Sequence, residues 1–403
     1  MKPRHNRLNG SVLPTAIAAT LLMLTAVLGL MSLWEHETLR FARSQRLRQA
    51  RADAESAYLL YRLHPDAAEL TATEGYLLDD SLPQSRVFLR TEPWGLYETV
   101  HVATADSLLC VCRLFGAAPE TANTLFYADN RSAVTLAGQT ILKGSLQLPQ
   151  NGLIYGRVGA DFYRGAEIPH TAIRRAPRSL PTPDDGIETR LAAYLTHVPN
   201  IPAIRIPDSL AVPFSSDSAV LVRLGDAEIS ECTLRGKIVI YADELRIDSA
   251  CRMEHLLVIA RKITVGSGAR ITAQLFARDT VIVETRSVLE YPSGIYAGQY
   301  AEIGARSTVN GYAIVRDTVR RKKAVANFRQ DRTARLRGLL WVEGTAQLQG
   351  IVSGRAVVQQ AAYFSPKGYY KEMLYDVAIL ENPVTAQPLW LKAARRKEAA
   401  CID

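Results

Sequence analysis

Hydrophobic residues are distributed in two different ways along this chain. Residues 12–34 form an unbroken stretch without a charged side chain, whereas beyond about residue 80 the apolar residues come in short alternating runs between Gly, Pro and small polar residues. A stretch of this length spans a hydrocarbon core of about 30 Å when it is helical. Apolar–polar alternation is typical of β-strands with one buried face. The pattern predicts a mostly β protein with one long N-terminal transmembrane helix.

The helical periodicity continues past the apolar stretch, with polar residues on the other faces until Pro65. A narrow stripe recurs at steps of three to four residues, through Ser44, Leu47, Ala50, Ala54, Ala57 or Tyr58, and Tyr61. We expect one helix of about fifty residues, whose second half is amphipathic and packs against a domain or against copies of itself.

A secretory signal or a buried core helix is the alternative interpretation of the apolar stretch. The stretch is long for a signal, no A-x-A-like cleavage site follows it, and it has no polar face. Basic residues flank it on both sides, so the charge rule does not fix its orientation. We expect a single-pass protein of the inner membrane with its body outside the cytoplasm, and the lipid bilayer as its first partner.

The N-terminus resembles that of type IV pilins and minor pseudopilins, which have a short basic leader, a glycine, an apolar helix and then an amphipathic stretch. The resemblance implies that a leader peptidase cuts between Gly10 and Ser11 and that the new terminus enters a helical assembly. The sequence departs from the family pattern in having Thr15 rather than glutamate at the fifth position after Gly10, and Pro14 is unusual there. An uncleaved signal anchor is the alternative.

The β body contains a loose repeat of about 18 residues. Its copies contain Ala242, Ala260, Ala277 and Ala297, separated by 18, 17 and 20 residues. Apolar or small residues then return at alternate positions: Leu245 and Ile247, Ile263 and Val265, Val281 and Val283, Ala301 and Ile303. Such spacing predicts a single-stranded parallel β-helix, in which each coil stacks its inward side chains on the next. An antiparallel sandwich is the alternative.

Two runs with apolar-x-Gly-x-apolar steps, residues 136–165 and 338–358, resemble bactofilins and other right-handed β-helices. Bactofilins form cytoskeletal polymers, so the resemblance implies self-association. This chain is longer, is interrupted and carries an anchor.

The sequence divides into five predicted segments. They are a basic leader, span and amphipathic helix at 1–64; a β-rich region with the first coils at 65–170; a linker with a short helix at 171–205; a β-helix at 206–365 with a basic loop at 316–337; and a C-terminal cap and tail at 366–403. Asp184 and Asp185 are candidate N-cap residues for the linker helix. The basic residues of the tail, Lys392, Arg395, Arg396 and Lys397, are interpreted as one face of a second helix.

Five cysteines lie in the chain, without metal-binding spacing. Cys232 and Cys251 are 19 residues apart, about one coil, so stacking can bring them within disulfide distance. A reduced pair is the alternative. Cys110 and Cys112 share one face of a predicted strand, which suggests two buried thiols.

The basic loop contains nine Lys or Arg residues, among them Arg320, Arg321, Lys322 and Lys323. These four are the candidate binding residues for a polyanion such as acidic lipid, and a solvated loop is the alternative. Phe328 is the only aromatic residue in this loop, so nucleic acid is not an expected partner.

No phosphate loop, metalloprotease motif or nucleophile elbow occurs, and the seven histidines are scattered. The prediction is therefore no catalytic residue, cofactor or metal. Asp243, Asp248, Arg278 and Asp279 could line an acidic-polysaccharide groove on the outside of the coils, although polar residues alternate outward on any half-buried strand.

Three hypotheses follow. The first is a non-enzymatic membrane-anchored scaffold of the cell envelope, or a minor component of a pilus-like or secretion assembly with envelope proteins as partners. The second is a membrane-tethered protein that binds or cleaves polysaccharide. The third is a bactofilin-like polymer former facing the cytoplasm.

Overall fold

A computed structural model describes residues 12–65, 75–78, 85–119, 124–203, 205–317, 325–366, 368–382, 385–392 and 395–402. Two helices lie in these ranges, α1 (Val12–Leu63) and α2 (Asp185–Thr196), with a 3₁₀ turn at His170–Ala172. The leader residues Gly10 and Ser11 and the loop residues Arg320, Arg321, Lys322 and Lys323 lie outside the described ranges.

The rest of the described chain is mostly strand. In chain order the strands are β1 (Tyr76–Leu77), β2 (Arg86–Trp94), β3 (Tyr97–Thr104), β4 (Cys110–Ala117), β5 (Leu125–Tyr127), β6 (Val134–Ala137), β7 (Ile141–Leu142), β8 (Leu146–Leu148), β9 (Leu153–Tyr155), β10 (Arg157–Val158), β11 (Asp161–Phe162), β12 (Ile173–Arg175), β13 (Ser209–Val212), β14 (Val220–Arg223), β15 (Ala227–Ile229), β16 (Thr233–Gly236), β17 (Ile238–Tyr241), β18 (Glu244–Ile247), β19 (Arg252–Val265), β20 (Arg270–Val283), β21 (Val288–Ala297), β22 (Tyr300–Ile303), β23 (Thr308–Val315), β24 (Phe328–Gln330), β25 (Arg335–Gln347), β26 (Gly350–Ser365), β27 (Gly368–Lys371), β28 (Met373–Tyr375), β29 (Val377–Leu380) and β30 (Arg396–Cys401).

Helix α1 has the two predicted halves. Its N-terminal half contains a window of mean hydropathy 2.2 that is not buried at all, and it is long and apolar enough to cross a membrane. Its C-terminal half turns the predicted stripe, Ala50, Ala54, Ala57, Tyr58 and Tyr61, into the protein. The helix ends at Leu63, two residues before Pro65, because proline cannot continue the backbone hydrogen-bond ladder. The prediction of one helix of about fifty residues whose second half packs against a domain is confirmed.

The buried half of α1 packs on a five-stranded antiparallel sheet with the strand order β1-β2-β3-β4-β30. Val87, Leu89, Val100, Val102 and Phe115 point toward the helix and form one apolar cluster with its stripe. The C-terminal residues therefore form a strand at the edge of this sheet, and the interpretation of Lys392, Arg395, Arg396 and Lys397 as a helix face is wrong. Arg396 and Lys397 lie opposite Ala117 and Gly116 and cover an edge of β4 that would otherwise be exposed.

The second sheet is built from parallel strands and closes on itself. Among the described residues, strands β13 to β26 pair with one another only in parallel, so the antiparallel sandwich is wrong for this region. Leu245, Ile263, Val281 and Ala301 stack in register, and so do Ile247, Val265, Val283 and Ile303. The inward positions that the 18-residue repeat predicts are confirmed.

A ladder of apolar residues runs through the centre of this sheet and forms its core. Its members, in register from strand to strand, are Val222, Ile240, Val258, Leu275, Ile295, Ala313, Leu340, Ala356, Leu125, Leu146 and Ile173. The order of this ladder differs from the order of the chain. Strands β5 and β8, which lie in the region predicted to hold the first coils, follow β26 at the far end of the stack, together with β12 from the predicted linker.

The chain reaches the opposite end of the stack through residues 176–208. Within this segment α2 packs its buried residues Ile187 and Leu191 on the outer side of the parallel sheet. Asp184 caps this helix by accepting hydrogen bonds from the backbone N–H groups of Gly186 and Ile187, as predicted. A second apolar cluster results, in which outward side chains of the parallel sheet meet α2, the β2–β3 turn and residues 389–391.

Candidate functional site

The predicted cysteine pair lies at the start of the parallel stack. Cys232 and Cys251 form a disulfide with their Cα atoms 4.9 Å apart, and both are buried. The residue before β16 and the residue before β19 come together because these strands are parallel neighbours. The second cysteine pair differs from its prediction, since Cys112 is buried but Cys110 is exposed.

We expect the disulfide to stabilise this end of the stack. Closing a loop of 19 residues corresponds to about 3 kcal/mol of chain entropy in the unfolded state. Cys232→Ser should therefore lower the free energy of unfolding by about that amount in oxidised protein and by much less after reduction. Thiol titration of the denatured wild type should give two fewer thiols without reductant than with it. Equal counts in both samples would exclude the bridge.

The three carboxylates proposed to line a polysaccharide groove are engaged by neighbouring groups of the protein. Arg261 donates to Asp243 over 3.0 Å and lies 4.0 Å from Asp279, which in turn accepts from Gln299. The hydrogen bond from Arg261 lowers the pKa of Asp243, and the backbone N–H groups after Asp248 lower the pKa of that carboxyl. Both carboxyls are thus held ionised at neutral pH, which is the wrong state for a general acid.

A cleft of about 330 Å³ adjoins these residues, between the end of α2 and the outer side of the stack. Its lining includes Val198, Tyr241, Asp243, Arg261 and Arg278. Arg261 is the centre of a ladder of ion pairs that also reaches Glu244. The arrangement ties the neighbouring strands β18, β19 and β20 together. Among the described residues no group of His, Cys, Asp and Glu has the geometry of a metal site.

Three arginines among the described residues of the basic loop are also paired with acids. Arg316 bridges Glu343 in the stack and Glu188 in α2. Arg332 lies 3.4 Å from Asp376, and Arg329 lies 3.7 Å from Glu302. These arginines hold neighbouring elements together.

The fold brings together one thiol and one imidazole that the sequence did not connect. Cys112 and His101 lie opposite each other on β4 and β3, with Sγ 3.6 Å from Nε2. Glu92 lies 4.0 Å from the same nitrogen, but the same carboxylate oxygen accepts a hydrogen bond from the Lys237 ammonium over 2.7 Å. Since Cys112 is only 3% exposed, a substrate has little access to the thiol. The cluster serves as a polar contact between the two sheets.

The most extensive set of specific contacts forms the junction that connects α1 to the parallel stack. Its first part joins α1 to the antiparallel sheet: Tyr58 stacks on Phe115 with ring centroids 5.7 Å apart, and Tyr61 meets the same ring edge-on at 5.2 Å. Arg113 covers the Tyr58 ring at 4.4 Å and forms an ion pair with Glu55. Aromatic packing and charge together fix the sheet on the helix.

The second part of the junction joins the antiparallel sheet to the parallel stack through Gln274, which is 2% exposed. Its Oε1 accepts from the Leu96 backbone N–H over 2.8 Å and from the Tyr312 hydroxyl over 3.0 Å. Its Nε2 donates to the Trp94 carbonyl over 2.9 Å. One buried amide thus holds the turn between β2 and β3 against β20.

Two further contacts support this turn. The Trp94 indole N–H donates to the His255 carbonyl over 3.0 Å, and the Lys237 ammonium donates to both Glu92 and the Ser216 carbonyl. Gly95 occupies the turn with φ +62°, and a Cβ there would overlap the Gln274 amide. The turn signal of Gly95 between two alternating runs is visible in the sequence, but its partner Gln274, almost 180 residues later, has no local signature.

Comparison of the chain with protein-family models, with curated proteins and with solved structures gives no match.

Proposed function

We propose that the protein is a non-enzymatic, membrane-anchored scaffold whose body is a single-stranded parallel β-helix. The observation that carries this proposal is the uninterrupted series of buried contacts from α1, through the antiparallel sheet and Gln274, to the parallel stack. A β body joined in this way keeps a fixed orientation relative to its membrane helix. Sixteen helical residues separate Trp34 from Ala50, so the body stands about 24 Å from the membrane surface.

A role in a pilus-like or secretion assembly is the more specific form of this proposal. Large apolar side chains of α1, such as Leu22, Met23 and Leu30, are 71%, 70% and 66% exposed. The same helix packs its second half on an antiparallel sheet, which leaves the apolar half available to lipid or to neighbouring helices. This division supports the similarity to type IV pilins and minor pseudopilins and favours envelope proteins as partners.

Leader processing tests the pilin-like form. In cells with a prepilin peptidase, the chain should lose its first ten residues, and Gly10→Val should retain them and no longer co-purify with envelope components. Asn6→Ala, inside the leader but away from the bond, should be processed normally. Intact mass spectrometry distinguishes the forms. Retention of the leader by both the wild type and Gly10→Val, or its loss from both, with neither co-purifying with other proteins, would contradict the pilin-like form but not the anchored scaffold.

Self-association is a second candidate function, favoured by the end of the stack. Among the described residues, β13, β14 and β15 each pair with another strand on one side only. Exposed strand edges are templates for a further strand, and Val220 and Leu221 next to this edge are 38% and 41% exposed. Sedimentation of the detergent-solubilised chain tests this function. A protein that polymerises through these edges should give a series of oligomers whose size increases with protein concentration, whereas a scaffold with covered ends should give one species.

A further inference from the structure

A β-hairpin near the C-terminus carries aromatic side chains on both of its sides. Strands β26 and β27 pair Tyr363 with Tyr370 and Phe364 with Tyr369 in antiparallel register. Neighbouring pairs in such a ladder point to opposite sides, so each side of the hairpin carries two rings. None of these four residues belongs to the three buried apolar clusters, and all are partly exposed. Packing of the core therefore does not account for them.

On one side of the hairpin the rings form a row. The Tyr370 and Tyr363 rings lie 6.2 Å apart between centroids, and Tyr363 and Tyr375 lie 4.6 Å apart. The row continues to Asp161, which accepts a hydrogen bond from the Tyr375 hydroxyl over 3.0 Å and forms an ion pair with Arg164. Three tyrosines, one each from β26, β27 and β28, thus form one strip that ends in polar groups.

The other side of the hairpin is different. Phe364 and Tyr369 contact each other at 4.8 Å, and Lys371 lies 5.9 Å from the Tyr369 ring. Among the described residues, the rings of this side carry one hydroxyl rather than three, and the charged group beside them is Lys371 rather than an Asp–Arg pair. It provides an internal comparison for the first side, since both pairs of rings lie on the same two paired strands.

The chemistry of the row selects among ligands. Among the described residues, the charges beside Tyr375 lie in ion pairs, Asp161 with Arg164 and Asp376 with Arg332. A polyanion is therefore not attracted to it. A tyrosine ring has an apolar face and a hydroxyl that donates and accepts hydrogen bonds. A sugar ring is complementary to it, because it carries a face of axial C–H groups with hydroxyls next to that face. Consecutive rings a few ångströms apart suit consecutive units of a linear polymer.

We propose that Tyr370, Tyr363 and Tyr375 form a binding strip for a linear, uncharged polysaccharide of β-linked hexopyranose units, with Asp161 and Arg164 holding hydroxyls at its end. The strip lies on the stack and not on the membrane helix. It would give the scaffold a contact with glycan, in addition to the contact with lipid that the anchor makes, and it does not depend on pilin-like processing.

The test uses the full chain in detergent and two uncharged probes, the hexamers of β-1,4-linked glucose and of β-1,4-linked N-acetylglucosamine. Calorimetry should give saturable binding of at least one hexamer. Tyr363→Ala and Tyr375→Ala should each weaken it about tenfold, the loss of one stacking contact, whereas Tyr363→Phe should retain most of it. Phe364→Ala, on the other side of the hairpin, should bind like the wild type.

Thermal unfolding of each variant shows whether the hairpin is retained, and Tyr363→Phe keeps the test valid if the alanine variants are destabilised. No saturable binding of either hexamer would overturn the proposal and leave the hairpin as a surface for a protein partner. Equal losses in Tyr363→Ala and Phe364→Ala would also overturn it, because the tyrosine row would then have no special role.

Discussion

Gly338→Ala is expected to destabilise the parallel stack by at least about 3 kcal/mol, since overpacking and a forbidden backbone conformation act together. Gly311, Gly338 and Gly354 lie in register on β23, β25 and β26, with φ of +138°, +130° and +142°. A Cβ on Gly338 would overlap the Gly311 carbonyl. Neither backbone can move aside, because β23 and β25 pair residue by residue on both sides of this position, from Thr308 with Arg335 to Val315 with Val342.

Urea unfolding followed by circular dichroism measures this effect. Gly225→Ala is the matched control, because Gly225 is exposed, has no left-handed φ and has nothing within 4 Å of an added Cβ. The control should unfold at the wild-type midpoint or slightly above it. If Gly338→Ala and Gly225→Ala unfold at the same urea concentration, the close strand approach at this glycine ladder is wrong.

Gln274→Leu is expected to separate the antiparallel sheet from the parallel stack. The substitution leaves the Leu96 N–H, the Trp94 carbonyl and the Tyr312 hydroxyl without their partner in a buried interface. Each unsatisfied buried group costs about 1–3 kcal/mol, so the total is about 3 kcal/mol or more. Because the loss falls on the junction, the two parts should then unfold in separate steps rather than together.

Thermal unfolding and limited proteolysis both report on this separation. We expect a second, earlier thermal transition in Gln274→Leu and new cleavage near the β2–β3 turn. Gln150→Leu makes the same chemical change at an exposed turn and should behave like the wild type. A single transition in Gln274→Leu at the wild-type temperature would show that the amide does not hold the junction.

The inward face of the parallel sheet could be predicted from the sequence because its signal is local. Alternation places Leu245 and Ile247 on the same face of their strand. The period near 18 then places the equivalent residues of the later copies, beginning with Ile263, in register with them. The stripe of α1 was predictable for the same reason, since Ala54 and Tyr58 are one helical turn apart.

The order of the coils could not be predicted from periodicity. Leu125 and Leu146 carry the same alternation as Leu275, and alternation says which side is buried but not which strand is the neighbour. Their position beyond β26 depends on the return of the chain through α2, a tertiary feature. The role of Gln274 could not be predicted from the neighbouring sequence either, because its amide binds the β2–β3 turn only in the folded chain.

The charged tail shows how a tertiary contact outweighs a local pattern. Arg396 and Lys397 look like part of a helix face, but the edge of β4 offers backbone partners and Glu98 offers a carboxylate for Arg396. Strand pairing with this edge satisfies more groups than an isolated short helix would.

The central claim is that a membrane helix holds the β body outside the cytoplasm. Labelling of Cys110 in spheroplasts with a membrane-impermeant maleimide tests it most directly, because this cysteine is exposed on β4. The account predicts that the native chain is labelled on Cys110 before lysis, that Cys110→Ser loses this label, and that the chain stays with the membrane pellet. Labelling of Cys110 only after lysis, or recovery of the chain in the soluble fraction, would contradict it.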